Sequence, residues 1–440
     1  MNFDKILNGI KRFLPSPFSI AIFLTFIIII LSFLFTGEQN SKSFLNILKF
    51  WETGFWELLN FAMQMMIMLV LGHILAITPF VSKIISALIS GIKSNSKAVV
   101  ITAVSTMILA YFNWALALIF GAIIARKIAE KSVREGFKIN YPLVAAAGYS
   151  GLMVWHGGFS GSAPLKVAEA NHFLVSQIGV ISIDKTILSS MNIFSAVSII
   201  TLVSLSLWFL SKKTNTAKIS IKSEKQNKIT EKSNKFKIDN SSIFLRIFAL
   251  LMFLVIAVKV YEQPSYKIIN INFINFVLFA LSLWFHKNVS NFLQALNSAI
   301  KGSAGILIQF PIYAGIMGIM KYSGLSDILT QFFVSISTEN TLPIYTFISA
   351  GIVNIFVPSG GGQWAVQGPV IVEAAQKIGV PVQKIIMALA YGDEITNMIQ
   401  PFWALPLLGI TGLKAKDIFP YTLFMMLIGI VVFVLSLLIF

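Results

Sequence analysis

The sequence predicts an all-α integral membrane protein built as two inverted repeats, each holding a re-entrant hairpin and an unwound transmembrane helix. Three observations lead there. Hydrophobic residues make up 56% of the 440, mean hydropathy is +0.80, and several windows reach the ~20 apolar residues that cross a bilayer. The longest polar stretch, 212–242, is too short and too Lys-rich to bury a core, so no soluble domain is expected. Two apolar stretches, 98–125 and 341–372, are interrupted alike: the first by Asn113-Trp114, the second by Asn354 and then Pro358-Ser359-Gly360-Gly361-Gly362-Gln363-Trp364. In hydrocarbon, irregular backbone leaves amides and carbonyls unpaired at a cost of several kcal/mol each. Such breaks persist only inside protein or beside a watery cavity.

The elements follow from charge placement. Lys5, Lys11 and Arg12 precede the apolar run 18–35, which is too long for a signal-peptide core and lacks a small-residue cleavage site, so it reads as a retained first span. With the N-terminus cytoplasmic, 18–35 goes out and 55–77 returns, and Lys83, Lys93 and Lys97 lie inside on an amphipathic interfacial segment. Arg126, Lys127, Lys131, Arg134 and Lys138 also belong inside, so 98–125 enters and leaves on one face as a hairpin with Asn113 near its tip. Spans 141–165 and 189–210 follow, then a loop over 212–237 with nine Lys. Next come 243–261, 271–285 and 302–320, the second hairpin 341–372 dipping in from outside, and the spans 383–410 and 419–440. This layout places 24 Lys/Arg inside and 9 outside, with Arg246 at a membrane edge. Residues 1–211 form the first repeat, 212–262 a basic linker with an extra span, and 263–440 the second repeat. Five crossings separate corresponding elements, which turns the second half upside down. Ala146, Tyr149, Pro164 and Leu165 recur at one offset as Ala388, Tyr391, Pro406 and Leu407.

Composition excludes several functions. The net charge of +16 is spread over short loops without the interleaved aromatics that stack bases, so nucleic acid is not the partner. Without cysteine there are no disulfides, Cys-based zinc sites or thiol nucleophiles. The four histidines are too dispersed for a metal site, and no nucleophile motif with a fold to carry it is present.

Paired interrupted segments point to a transporter's binding site near the bilayer midplane. After each hairpin lies a second irregular stretch. In the first half it holds Gly148-Tyr149-Ser150-Gly151 and His156-Gly157-Gly158-Phe159-Ser160-Gly161-Ser162-Ala163-Pro164; in the second, Tyr391-Gly392-Asp393-Glu394, Thr396-Asn397 and Gln400-Pro401-Phe402-Trp403. Glycine weakens a helix by ~1 kcal/mol and proline by ~3, so both spans are expected to unwind. Half-helix N-termini then suit an anion and freed carbonyls suit Na⁺. The nominated substrate contacts are Asn113, Trp114, Gly157, Gly158, Ser160, Ser162, Ser359, Gly360, Gly361, Gly362 and Gln363, with the three glycines in a loop. The coupling-ion nominees are Asn113, Asn354, Asp393 and Asn397; Asp393 and Glu394 are the acidic residues well inside an apolar span, and only one of the two need face the site. Small residues also permit close helix packing, and Gln64, Gln309, His73 and His156 fit either a structural or a path-lining role. No Lys or Arg lies in the hairpin arms or in 390–403, which suits a single carboxylate held by dipoles more than a dicarboxylate. Trp114, Phe159, Trp364, Phe402 and Trp403 are expected to enclose a short aliphatic tail.

Over nearly its whole length the chain resembles the bacterial short-chain fatty acid transporter family, within the wider ion transporter superfamily. The carriers are Trp51-Glu52-Thr53-Gly54-Phe55-Trp56, Asn113-Trp114, Gly157-Gly158-Phe159-Ser160-Gly161-Ser162, Gln309-Phe310-Pro311, Pro358-Ser359-Gly360-Gly361-Gly362, Gln367-Gly368-Pro369, Ala390-Tyr391-Gly392 and Gln400-Pro401-Phe402-Trp403-Ala404-Leu405-Pro406. His156 departs from a pattern that is usually glycine-rich there. The resemblance implies uptake of short-chain fatty acids such as acetoacetate or butyrate across the bacterial cytoplasmic membrane, with co-transported H⁺ or Na⁺ and no other cofactor. It also implies an elevator-like carrier, usually dimeric. A dicarboxylate carrier, a passive anion channel and a membrane enzyme or scaffold stand as alternatives.

Overall fold

The computed structural model describes residues 17–37, 40–214, 216, 238–263, 265, 268–356 and 360–440, and the regular structure among them is helical. Lys5, Lys11, Arg12, most of the basic loop, Pro358 and Ser359 lie outside the described residues, as does the side chain of Phe402.

The chain runs through α1 (Pro17–Phe35), α2 (Ser41–Glu57), α3 (Leu59–Ala76) and α4 (Pro79–Ser90) to the pair α5 (Asn95–Phe112) and α6 (Trp114–Glu135). Next, α7 (Tyr141–Tyr149) passes into a 3₁₀ turn over Ser150–Met153, irregular chain, and the short α8 (Ser162–Lys166). The single turn α9 (Val175–Ile178) and α10 (Ser190–Lys213) precede the linker. Beyond it stand α11 (Ser242–Glu262), α12 (Ile271–Phe285), α13 (Val289–Ser323), α14 (Leu325–Ile336), α15 (Leu342–Phe356) and α16 (Gly360–Ile378). Helix α17 (Val382–Thr396) yields to a 3₁₀ turn over Asn397–Ile399, then α18 (Pro401–Thr411), and α19 (Ala415–Ile439) closes the described chain.

By length and apolarity α3, α5, α10, α11 and α19 are each able to cross a membrane. Helix α11 buries Leu245, Ala249 and Met252 and exposes Phe244, Ile247, Leu251, Leu254 and Val258. Water would penalise such a face; hydrocarbon does not. Starts are written in sequence: Asn40, Thr78, Ser94, Asn140, Ser189, Ser241, Asn270 and Asn288 each accept an orphan amide at a helix N-terminus. Glycine ends α6, where Gly136 has φ +78°, a left-handed position that side chains avoid. One close crossing joins α2 to α13: a Cβ on Gly54 would lie 2.6 Å from Gly318 Cα, so the two backbones meet without a side chain between them.

Four expectations change. The 55–77 span is two helices parted at Leu58, and the 302–320 span is part of a 35-residue α13 containing Pro311. At 1.5 Å per residue that helix is about 52 Å long, well beyond a hydrocarbon core. The glycines 360–362 are not a loop; they form the first turn of α16, where fitting closely against neighbours outweighs their poor helix propensity. In the second irregular span the helix holds through Asp393 and Glu394 and gives way only at Asn397–Ile399.

The first break is one residue wide. Asn113 is extended (φ −155°, ψ 120°); its N–H donates to Leu109 O at 2.8 Å, closing α5, and its Oδ1 accepts Leu116 N–H at 2.8 Å, opening α6. The first irregular segment takes up what remains: Phe159 N–H donates to Tyr111 O at 2.7 Å, and Trp114 N–H donates to Ser160 Oγ at 3.0 Å. Backbone released by the break is thus satisfied by protein, as its burial requires.

Candidate functional site

The two irregular spans meet. His156, in the first, lies with its Nδ1 2.6 Å from Asp393 Oδ2 on α17, and both side chains are essentially inaccessible. Ala163 N–H donates to His156 Nε2 at 3.3 Å, which leaves the ring proton on Nδ1, directed at Asp393. The backbone N–H of His156 donates to Glu394 Oε2 at 2.9 Å, with the amide of Gly157 also bonded to this carboxyl group. Adjacent carboxyl groups on a helix diverge, but the irregular chain here wraps the end of α17 and meets both. Asp393 and Glu394 therefore both face the junction, although only one of the two needed to. Among the described residues, neither forms an ion pair with Lys or Arg.

The nominated residues divide. Trp114 packs on Trp155 (ring centroids 5.8 Å) and Trp403 (5.1 Å), and Trp155 stacks on the imidazole of His156 at 4.5 Å, linking the Asn113 break to the carboxylates. Gly360 closes the group: a Cβ there would come 2.7 Å from His156 Cε1 and 3.2 Å from Asp393 Oδ2. Asn354 Nδ2 lies 2.7 Å from Asp393 O, 2.8 Å from Asn397 Oδ1 and 2.9 Å from Thr396 Oγ1. Gln363 Nε2 donates to Ala350 O at 2.9 Å, holding α16 to α15. Gly158 abuts the backbone of Tyr111, and Gly157 O accepts from Asn192 Nδ2 at 2.7 Å. Ser162 lies apart, its hydroxyl 3.5 Å from Met65 Sδ, and Asn113 caps α6 rather than joining Asp393. His73 is half-buried on α3 and Gln309 half-buried on α13.

The expected aromatic enclosure is not one cavity. Trp114 and Trp403 are together, but Phe159 stacks on Phe112 at 6.1 Å and Trp364 packs against Phe173 at 6.1 Å. Rings close in sequence to the breaks sit on different elements, and packing sends them apart.

Two tyrosines stitch the halves together. Tyr149 Oη donates to Asn397 O at 2.8 Å, across to the second break. Tyr391 Oη donates at 3.1 Å to Asn192 Oδ1, the residue that holds Gly157 at the first break. Several acceptor oxygens around this junction have no hydrogen-bond partner: Asp393 Oδ1, Glu394 Oε1, Asn354 Oδ1 and Gln400 Oε1. Orphan buried acceptors are costly, and a bound cation is one way to satisfy them.

Sequence reasoning missed a buried cation. Lys166, 4% exposed, closes α8 with its Nζ 2.6 Å from Glu169 Oε2, 3.3 Å from Gln64 Oε1 and 5.0 Å above the ring of Phe61. The signal was present, since opposite charges three apart after a glycine-rich stretch favour a local pair. Lys131 is also buried, but its ammonium caps α4 by donating to Ile89 O at 2.7 Å and to Ser90 O, a structural use.

The chain is similar to known proteins over nearly its whole length. The profile described as short chain fatty acid transporter matches residues 4–440. A protein of Escherichia coli K12, provisionally named a short-chain fatty acid transporter, is 33% identical over 98% of this chain and 97% of its own length. One of Haemophilus influenzae Rd with the same provisional name is 31% identical over 97% of each. In structure, the chain is similar to MtrF of Neisseria gonorrhoeae, an antimetabolite efflux pump, with TM-score 0.56 and 13% identity over 96% of this chain and 95% of that one. It is similar also to the YdaH transporter of Alcanivorax borkumensis, with TM-score 0.58 and 12% identity over 97% and 98%. At such identities the structural likeness concerns the fold alone. A profile spanning nearly the whole chain, two full-length relatives above 30% identity and a membrane fold shared with solved transporters agree, and this membrane protein belongs to the short chain fatty acid transporter family.

Proposed function

We propose that the protein is a secondary active carrier that takes up short-chain monocarboxylates of the acetoacetate or butyrate kind across the bacterial cytoplasmic membrane, driven by H⁺ or Na⁺. Family membership supports the substrate class. The observation that carries the mechanism is the 2.6 Å contact of His156 with Asp393, which joins irregular spans from the two halves inside a sealed interior. In this reading α5 with α6, and α15 with α16, dip into the bilayer and return. The two repeats are inverted about the basic linker, and the protein works as a homodimer. The partnerless oxygens of Asp393, Glu394, Asn354 and Gln400 are where Na⁺ would be held if Na⁺ is the driving ion.

Uptake of labelled butyrate and acetoacetate into proteoliposomes tests the proposal, under an imposed pH gradient and, separately, an imposed Na⁺ gradient. Gradient-driven accumulation and counterflow are expected, and counterflow separates a carrier from a passive anion channel. Absence of gradient-dependent uptake of any short-chain acid, after subtraction of protein-free vesicles, would overturn the reading. Buried Lys166 weakens the argument against a dicarboxylate carrier, and strong competition by succinate would favour that alternative.

A further inference from the structure

We propose that Lys166 and Gln64 form the receptor for the substrate's carboxylate, that Glu169 occupies it in the empty carrier, and that the displaced Glu169 takes up the proton accompanying the acid. The inference rests on the monocarboxylate reading above and names, within it, both the anchoring residues and the cation.

Glu169 itself shows what the receptor fits. One oxygen, Oε2, accepts from Lys166 Nζ at 2.6 Å; the other, Oε1, accepts from Gln64 Nε2 at 2.8 Å. A lysine of α8 and an amide of α3 thus hold the two oxygens of one carboxylate, with Lys166 and Glu169 only 4% and 3% exposed. Gln64 is aimed in turn by its Nε2 donating to Asn272 Oδ1 at 2.9 Å, and its main-chain carbonyl accepts from Asn275 Nδ2 at 2.9 Å, both partners on α12. Glu169, by contrast, stands on the irregular turn after α8, a carrier more easily moved than the helices supplying the fork. Apolar walls adjoin it: the Phe61 ring beneath Nζ packs edge-on to Phe310 at 5.8 Å, and both rings meet the first turn of α16 at Gly361.

Charge dictates the rest. A lysine and a glutamate neutralise each other in the empty state. A monocarboxylate that takes Lys166 restores the pair but strands Glu169 as a buried anion, and a buried carboxylate without a cation neutralises itself by binding a proton. The Nζ–Glu169 contact breaks, the Nζ–substrate contact forms, and one proton passes from water to Glu169. No net charge enters the site, and the acid travels with one H⁺. The groups facing Glu169 are Lys166 on α8, the amides of Gln64 and, through it, Asn272, and nearby His172. His172 is tied as a neutral ring, accepting from Leu174 N–H and donating to Gly179 O. Asp393 is already engaged by His156.

Calorimetric titration of purified full-length protein with butyrate, in two buffers of different ionisation enthalpy, reads affinity and proton uptake together. Wild type is expected to take up about one proton per butyrate bound. E169Q should bind at least as tightly, take up none, and in proteoliposomes keep counterflow while losing pH-driven accumulation. Because a lone buried Lys can prevent folding, K166Q/E169Q removes both charges. It should remain monodisperse yet bind butyrate more than tenfold more weakly. Near wild-type affinity in the double variant, proton uptake unchanged in E169Q, or accumulation driven by Na⁺ and indifferent to E169Q would each overturn the proposal while leaving monocarboxylate transport intact. A wild type that binds and moves no monocarboxylate would remove the reading beneath it.

Discussion

Replacing His156 by alanine tests whether the two halves are held together by the imidazole–carboxylate contact. The change removes a 2.6 Å hydrogen bond to Asp393 Oδ2, a 3.3 Å bond accepted from Ala163 N–H, and a stack on Trp155 at 4.5 Å. A hydrogen bond to a charged group contributes about 1.5–3 kcal/mol, and the ring pair about 0.5–1.5 kcal/mol. The larger consequence falls on Asp393, whose Oδ1 already lacks a partner and whose Oδ2 would lose its own. Leaving a buried acceptor without its partner costs about 1–3 kcal/mol, more where it is charged, and H156A is expected to cost about 3 kcal/mol. D393N removes the stranded carboxyl group, so H156A made in that background should cost less. The double-mutant cycle should then show coupling of about 2 kcal/mol, within the span seen for residues in contact. Denaturant unfolding in mixed micelles, followed by tryptophan fluorescence, measures all four corners. Additive costs, with coupling below about 0.5 kcal/mol, would show that the contact does not hold the junction.

Gly361→Leu should abolish uptake, because even a Cβ would come 2.8 Å from Phe310 Cζ and 3.0 Å from Phe61 Cζ; near wild-type uptake at equal membrane abundance, read by immunoblot, would refute the contact. Gly54→Val should force α2 from α13 and reduce the monodisperse fraction in size-exclusion chromatography, as overpacking costs typically about 1–3 kcal/mol even where side chains can adjust. Asn192→Ala should destabilise more than Tyr391→Phe in the same unfolding assay. Asn192 serves Tyr391, Gly157 O and Ile187 O, each neutral bond contributing about 1 kcal/mol, whereas the phenol donates one.

What the sequence disclosed was polarity in the wrong place. Asn113 at the centre of an apolar run could only be a break, and Asp393 and Glu394 in a span had to find partners. Partners on ordinary-looking helices stayed hidden. Asn192 resembles any capped first turn, and its role arises only because α10 folds back beside Gly157. Lys166 and Glu169 fell at the outer edge of a predicted span and passed for loop charges, since burial depends on α3 and α12 covering them. The aromatics failed for a related reason: nearness along the chain to a break does not decide which face a ring takes. Tyr149 and Tyr391 were legible as a recurrence between the halves, not as a contact.

That recurrence has a mechanical consequence. Each phenol fastens its own half to the turn where the other half comes undone, Tyr149 to the peptide of Asn397 and Tyr391 to the amide that secures Gly157. A rigid displacement of one half that releases either clasp therefore loads the other. The paired clasps act as an interlock, and they make it costly for one break to loosen while the other stays closed.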